Sequence, residues 1–188
     1  TVAAVTSTAG NLSSVATDVE LAVLVIKGSV DATDLAYIRN TLTKLEVLDL
    51  SMTDMVTLPG WGLGFHPDDG YQPNTTLKEV MLPASLVTIG KSAFLNCRAL
   101  DYVDTGNAET ITEYAFEGCS NLREVILSEK LKTVGNCAFR NCVSLSLIDI
   151  PGSVETLGRW VNCGNLQSVV LHEGVQSLSE STFYGCGL

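Results

Sequence analysis

Eight leucines, Leu21, Leu45, Leu77, Leu100, Leu122, Leu145, Leu166 and Leu188, recur along the chain at intervals of 24, 32, 23, 22, 23, 21 and 22 residues. All but the last open the same motif, Leu-x-x-φ-x-φ with φ mostly aliphatic. The copies are Leu21-Leu24-Ile26, Leu45-Leu48-Leu50, Leu77-Val80-Leu82, Leu100-Val103-Thr105, Leu122-Val125-Leu127, Leu145-Ile148-Ile150 and Leu166-Val169-Leu171. Chance does not hold such a period over seven intervals. A period of 20–50 residues is the mark of a chain whose units cannot bury their apolar faces alone and must stack.

Later landmarks recur too. A second apolar pair follows the motif (Leu86 and Ile89, Leu131 and Val134, Val154 and Leu157, Val175 and Leu178), then an aromatic (Phe94, Phe116, Phe139, Trp160, Phe183), and three residues later a cysteine (Cys97, Cys119, Cys142, Cys163, Cys186). Stacking turns these positions into continuous buried columns. The expected fold is a leucine-rich-repeat solenoid, a β-rich right-handed superhelix of about seven rungs over residues 21–188. The first motif of each rung forms a parallel sheet on the concave face, with short helical turns or strands opposite. Segments such as Gly90–Phe94 and Gly135–Phe139 read as one helical turn entered from a glycine.

The lines Ile89-Gly90-Lys91-Ser92-Ala93-Phe94-Leu95-Asn96-Cys97 and Val134-Gly135-Asn136-Cys137-Ala138-Phe139-Arg140-Asn141-Cys142 resemble the I-G-x-x-A-F-x-x-C signature of BspA-type leucine-rich repeats. Leu82-Pro83 and Ile150-Pro151 match that family's strand-ending aliphatic-Pro. The resemblance is strong over residues 77–188 and weaker over 20–76. It implies a secreted or surface-anchored adhesin of a host-associated bacterium or protist. The rung at 145–165 departs from it, with Arg159-Trp160-Val161 where Ala-Phe is usual.

Residues 1–20 lack the motif and read as an N-terminal capping segment. Within it, Gly10–Val19 reads as an amphipathic helix with Leu12, Val15, Ala16 and Val19 on one face. Asp31–Leu42 reads as a second helix, capped by Asp31 or Thr33, with Leu35, Ile38 and Leu42 inward. The chain stops one residue into another repeat, as expected of a piece of a longer repeat protein or of an end covered by a partner. The 32-residue interval holds a loop insertion at 59–76, rich in glycine and proline. Its Trp61, Phe65 and Tyr71 form a contact patch, or else Trp61 and Phe65 fold back over the neighbouring rungs.

Composition narrows the function. A net charge of -10 leaves no basic patch for nucleic acid, and no apolar run is long enough to span a bilayer. Five of the six cysteines share one rung position, where parallel Cβ vectors oppose disulfide geometry. They are expected as buried free thiols, whereas Cys137, out of phase, is either exposed and reactive or buried. No Cys-x-x-Cys pair exists for zinc, and His66 with Asp68 and Asp69 makes a poor metal or catalytic set. No phosphate loop or nucleophile elbow occurs. Neither enzymatic activity nor a cofactor or metal is expected.

Side chains flanking the central φ point away from the core, because they alternate along a strand. Down the stack they include Asp49, Glu79, Met81, Tyr102, Asp104, Glu124, Ile126, Leu147 and Asp149, acids interleaved with apolar groups and without lysine or arginine. The leading expectation is a non-enzymatic adhesion module, secreted or on the cell surface, that recognises a protein partner such as a host surface or matrix protein through this sheet and the 59–76 loop. A spacer or stalk domain is the alternative, the acids then serving only to keep sheets from aggregating. A third reading is glycan recognition, with Trp61, Tyr71 and Tyr102 as stacking platforms.

Overall fold

The leucine motifs become strands because their alternating aliphatic residues can be buried only against the rung above and the rung below. In the computed structural model, which describes residues 1–64, 73–176, 178 and 181–188, the chain winds through about seven stacked turns. The first sheet contains β1 (Val2–Ser7), β2 (Val23–Gly28), β3 (Val47–Thr53), β5 (Glu79–Met81), β7 (Tyr102–Asp104) and β9 (Glu124–Ile126), all parallel, in the order β1-β2-β3-β5-β7-β9. A second parallel sheet is built from β4 (Thr57–Leu58), β6 (Thr88–Ile89), β8 (Thr110–Ile111), β10 (Thr133–Val134) and β12 (Thr156–Leu157). β11 (Leu147–Ile150) and β13 (Ser168–Leu171) pair as a separate two-stranded sheet. The motif leucines and the aliphatic residues of the second sheet fill one core between the layers.

The aromatics stack along the axis. Ring centroids lie 4.9 Å apart for Phe94–Phe116, 5.1 Å for Phe116–Phe139 and 4.3 Å for Phe139–Trp160, with the planes within 13° of parallel. Trp160 thus takes the phenylalanine position in the atypical rung, although its indole N–H is buried without a partner among the described residues. Beside this column runs the cysteine column. Each thiol donates to the carbonyl of the column residue one rung earlier: Cys97 to Leu63 (3.4 Å), Cys119 to Phe94 (3.2 Å), Cys142 to Phe116 (3.2 Å) and Cys163 to Phe139 (3.0 Å). All six cysteines are free, five are buried, and Cys137 is among the buried ones.

Where single helical turns are expected, the chain instead makes linked tight turns. Ser92, Tyr114 and Cys137 have φ near +57° (56°, 59° and 57°), and Asn96, Gly118 and Asn141 adopt a left-handed conformation four residues later; in the short rung Asn162 does the same. Such residues break a helix. Their cost is offset because alternate N–H groups reach the next rung instead of the same turn, as in Ser92 N–H to Glu113 O, Phe94 N–H to Ala115 O and Asn96 N–H to Glu117 O. Asn74, which bridges Cys97, takes the cysteine position of its own rung.

The insertion begins later than the glycines and prolines suggest. Trp61 has φ +60°, matching Ser92, and the N–H groups of Trp61 and Leu63 donate to Lys91 O and Ala93 O. Residues 59–64 are therefore a regular repeat turn, with Leu63 in the aromatic column. A Cβ on Gly64 would stand 2.3 Å from Leu95 N, so this glycine serves close packing, not looseness. Buried Arg39 holds the turn through hydrogen bonds to Trp61 O (2.6 Å) and Gly62 O (3.0 Å).

At the N-terminus β1 adds a strand to the sheet, which the motif search does not reveal. The helix expected over Gly10–Val19 is only α1 (Leu12–Val15); Leu12 and Ala16 are buried, but Val15 and Val19 are 39% and 47% exposed. A segment this short has too few internal hydrogen bonds to hold more helix. The second helix, α2 (Ala32–Thr41), forms as expected, with Asp31 as its cap and Leu35 and Ile38 buried. Asp34 completes the capping box and ties the two helices together. Its buried carboxylate accepts from the backbone N–H groups of Gly10 (2.9 Å), Leu12 (2.8 Å) and Asp31 (3.1 Å).

Two outcomes are expected. Asp34→Ala leaves three N–H groups without their acceptor and should lower stability by about 2–4 kcal/mol in urea denaturation. Burial pushes the Cys97 and Cys163 thiols from 9.0 up to about 12, and Cys119 and Cys142 well above their ordinary value. A thiol whose pKa is higher folded than unfolded stabilises fully below the unfolded value and loses that contribution as pH rises toward the folded one. The thermal midpoint should therefore fall through the window above pH 9.0 towards about 12, and a Cys119→Ala/Cys142→Ala variant should show a shallower fall.

Candidate recognition surface

The strand register places the outward side chains in two parallel columns. Val23, Val47, Glu79, Tyr102 and Glu124 succeed one another in the first, and Val25, Asp49 and Met81 in the second, where Asp104 is then followed by Ile126. The repeat continues them as Leu147 with Ser168 and Asp149 with Val170 on the β11–β13 pair. Exposure increases along the stack: Asp49 and Glu79 are half-buried, while Ile126 is 45% and Leu147 50% exposed.

Among the described residues, six basic side chains are engaged in ion pairs outside these columns, while Lys27 stands exposed towards the end of β2. Lys44–Glu20 (2.6 Å), Lys78–Glu46 (2.9 Å) and Arg123–Asp101 (3.3 Å) join successive rungs where the strands begin. Lys91–Glu113, Lys132–Glu155 and Arg140–Glu117 do so away from the first sheet. The columns keep their acids, and Tyr102 feels them: burial first, then the charges of Asp104, Glu124 and Glu79, raise its phenol pKa above 10.0.

The acids are not equivalent. Asp49 accepts from Ser51 N–H within β3 and Asp104 from Gly106 N–H in the turn after β7, both at 2.8 Å, so each also satisfies a backbone donor of its own rung. Asp149 pairs with His172 at 2.7 Å. Among the described residues, Glu79 and Glu124 take no hydrogen bond, and both flank Tyr102 in register. Trp61 lies in the repeat turn of residues 59–64, half-buried and outside these columns. Phe65 and Tyr71, like His66, Asp68 and Asp69, fall outside the described residues.

Two depressions mark the face. A shallow one of about 230 Å³ lies between β5 and β7, lined by Glu79, Met81, Tyr102 and Asp104. A cleft of about 470 Å³ opens between β9 and β11, where Arg123, Glu129, Ser146 and Pro151 join Glu124, Ile126, Leu147 and Asp149. Arg123, Glu129 and Pro151 escape a reading of strand alternation because they lie outside the two positions that flank the central φ. No group of three or more side chains suited to a metal ion occurs among the described residues, nor a helix long and apolar enough to cross a membrane.

Comparison with known proteins agrees with this geometry. A leucine-rich repeat protein from T. pallidum, solved by crystallography, superimposes with a TM-score of 0.60 at 26% identity, over 69% of this chain and 60% of that protein. A leucine-rich repeat protein from Bacteroides ovatus shares the fold with a TM-score of 0.51 at 19% identity, over 88% of this chain and 45% of its own. The chain thus spans less than two thirds of either. No curated protein matches it significantly. The sequence pattern described as BspA type Leucine rich repeat region matches residues 69–162 and 105–188 in six copies, and the chain belongs to that family.

Proposed function

We propose that this chain is a recognition module without catalytic activity, which binds a protein partner through the concave sheet face. The observation that carries this reading is the pair of columns in which Glu79, Asp104, Glu124 and Asp149 alternate with exposed Met81, Ile126 and Leu147, with no basic side chain among them. A single-signed face with apolar groups steers a basic, partly apolar surface and then excludes water from the contact. Repeat folds of this kind serve in protein interaction or as structural modules, and display on a cell surface is part of the proposal. Host surface and matrix proteins are the first partners to try. The spacer reading has one observation in its favour: Asp49 and Asp104 already have a structural use as acceptors of backbone N–H groups. Trp61 is left out of the proposed contact, since its backbone is fixed in a repeat turn.

The double variant Glu79→Lys/Glu124→Lys separates the readings, because neither carboxylate holds the fold together. The purified chain and the variant are applied to immobilised matrix proteins at low and physiological salt. The proposal expects a protein that binds more weakly in salt and loses about tenfold or more in affinity with the variant, at a nearly unchanged thermal midpoint. Unchanged affinity refutes recognition by this face, and silence across the panel favours the spacer.

A further inference from the structure

The outward side chains of the concave face form a checkerboard. Each rung from β3 to β11 presents one acid and one apolar or aromatic group, and the two exchange places from rung to rung. The acid is second on β3, first on β5, second on β7, first on β9 and second on β11, as Asp49, Glu79, Asp104, Glu124 and Asp149. Two of the squares so made are depressions. One, of about 230 Å³ between β5 and β7, has Glu79 and Asp104 at opposite corners, with Met81 and Tyr102 at the others. The second, of about 470 Å³ between β9 and β11, has Glu124 and Asp149 at opposite corners, with Ile126 and Leu147 at the others. The same square thus recurs two rungs on.

Alternation alone keeps like charges from standing directly opposite one another, which would be destabilising. The depressions add shape to sign. Strand spacing and rise put the diagonal acids of the first square about 8 Å apart at their Cα atoms, so carboxylates leaning in from both corners can hold one cation between them. The chain's own cations are turned away. Lys78, next to Glu79, pairs with Glu46 at 2.9 Å, and Arg123, at the margin of the second square, pairs with Asp101 at 3.3 Å. Glu79 and Glu124, the acids without a hydrogen bond among the described residues, supply one corner of each square. His172 meets Asp149 through one carboxylate oxygen, at 2.7 Å. Tyr102, half-buried, gives the first square an aromatic face. A guanidinium both stacks on such a face and forks to carboxylates, which an ammonium does less well.

We infer that the two squares seat two arginine side chains of the protein partner, carried on one face of a single segment about 10 Å apart. This rests on the recognition reading above and assigns the chemistry and the spacing of the contact. The spacing follows from the stack, since neighbouring strands lie about 4.8 Å apart and the squares are two rungs apart. The rungs behind them are held by the β10–β12 pairing and the Phe139–Trp160 ring contact, so the seats keep their separation. A ligand matched to that separation fills both seats in one event, and its affinity depends on geometry as well as on charge. Arginines closer together, or turned to different sides, fill one seat only.

The test uses the whole chain and two blocked hexapeptides of identical composition and charge, acetyl-Pro-Arg-Pro-Pro-Arg-Pro-amide and acetyl-Pro-Pro-Arg-Pro-Arg-Pro-amide. Polyproline II geometry holds the arginines of the first on one face about 9.3 Å apart, and those of the second about 6.2 Å apart on different faces. In an amide chemical-shift titration at low salt, the first should bind about tenfold or more tightly than the second, with shifts on β5, β7, β9 and β11. Glu79→Gln and Glu124→Gln each remove one corner of one seat at a nearly unchanged thermal midpoint. Either should bring the first peptide down to the affinity of the second. Equal affinity of the unsubstituted chain for the two peptides overturns the paired seats while leaving recognition by the face intact, and so does a preference that survives both substitutions. Absence of shifts with either peptide at millimolar concentration overturns the inference outright. The recognition reading itself is judged separately, by partner binding of the Glu79→Lys/Glu124→Lys variant.

Discussion

Each rung of this protein is stable only because another rung lies against it. The thiol-to-carbonyl bonds express this dependence most directly: a cysteine in one rung satisfies the backbone of the residue that places the aromatic ring in the rung before. The ring column and the thiol column run side by side, one supplying dispersion and apolar burial, the other adding a second donor to carbonyls that also close the tight turns. The left-handed residues at Ser92, Tyr114 and Cys137 follow from the same arrangement. Their N–H groups are worth more when directed to the next rung than when used within a helix. The fold is one axial interaction repeated, and its irregularities are the places where that interaction is modified.

The proposed contact uses the side of the stack that the buried columns do not. The buried columns fix the spacing of rungs, and the strands carry outward side chains at that spacing, so the face is a regular array that varies only in residue type. Pairing of lysine and arginine between rungs, outside the array, keeps positive charge off it. Where the rungs part between β9 and β11, the axial interaction still holds on the far side.

Much of the fold is legible in the sequence. The leucines, aromatics and cysteines are periodic because each must meet its own counterpart, and the outward positions Asp49, Glu79, Tyr102 and Glu124 follow from strand alternation alone. The second helix is equally plain, since Asp31 and the spacing of Leu35 and Ile38 are local signals. Other features have no local signal. β1 is a strand because β2 offers it an edge, and its own residues carry no leucine motif. Residues 59–64 look like a loop by their glycines and proline, yet they form a repeat turn because Lys91, Ala93 and Arg39 hold them. Asp34 reads as an ordinary first-turn acid, and only the return of the chain at Gly10 and Leu12 makes it a tie between two helices.

The sequence by itself determined the repeat, the columns and the chemical character of the exposed face, because periodicity records which residues must be equivalent when rungs stack. Only the tertiary structure decided where the equivalence fails. The parting of β9 from β11 arises between two rungs that each carry a full motif, while the opposite sheet stays continuous. Nothing in the pattern marks the place: Pro151 has a counterpart in Pro83, whose rung pairs normally. The cleft is a property of how neighbours meet, and neighbours in this molecule are more than twenty residues apart along the chain.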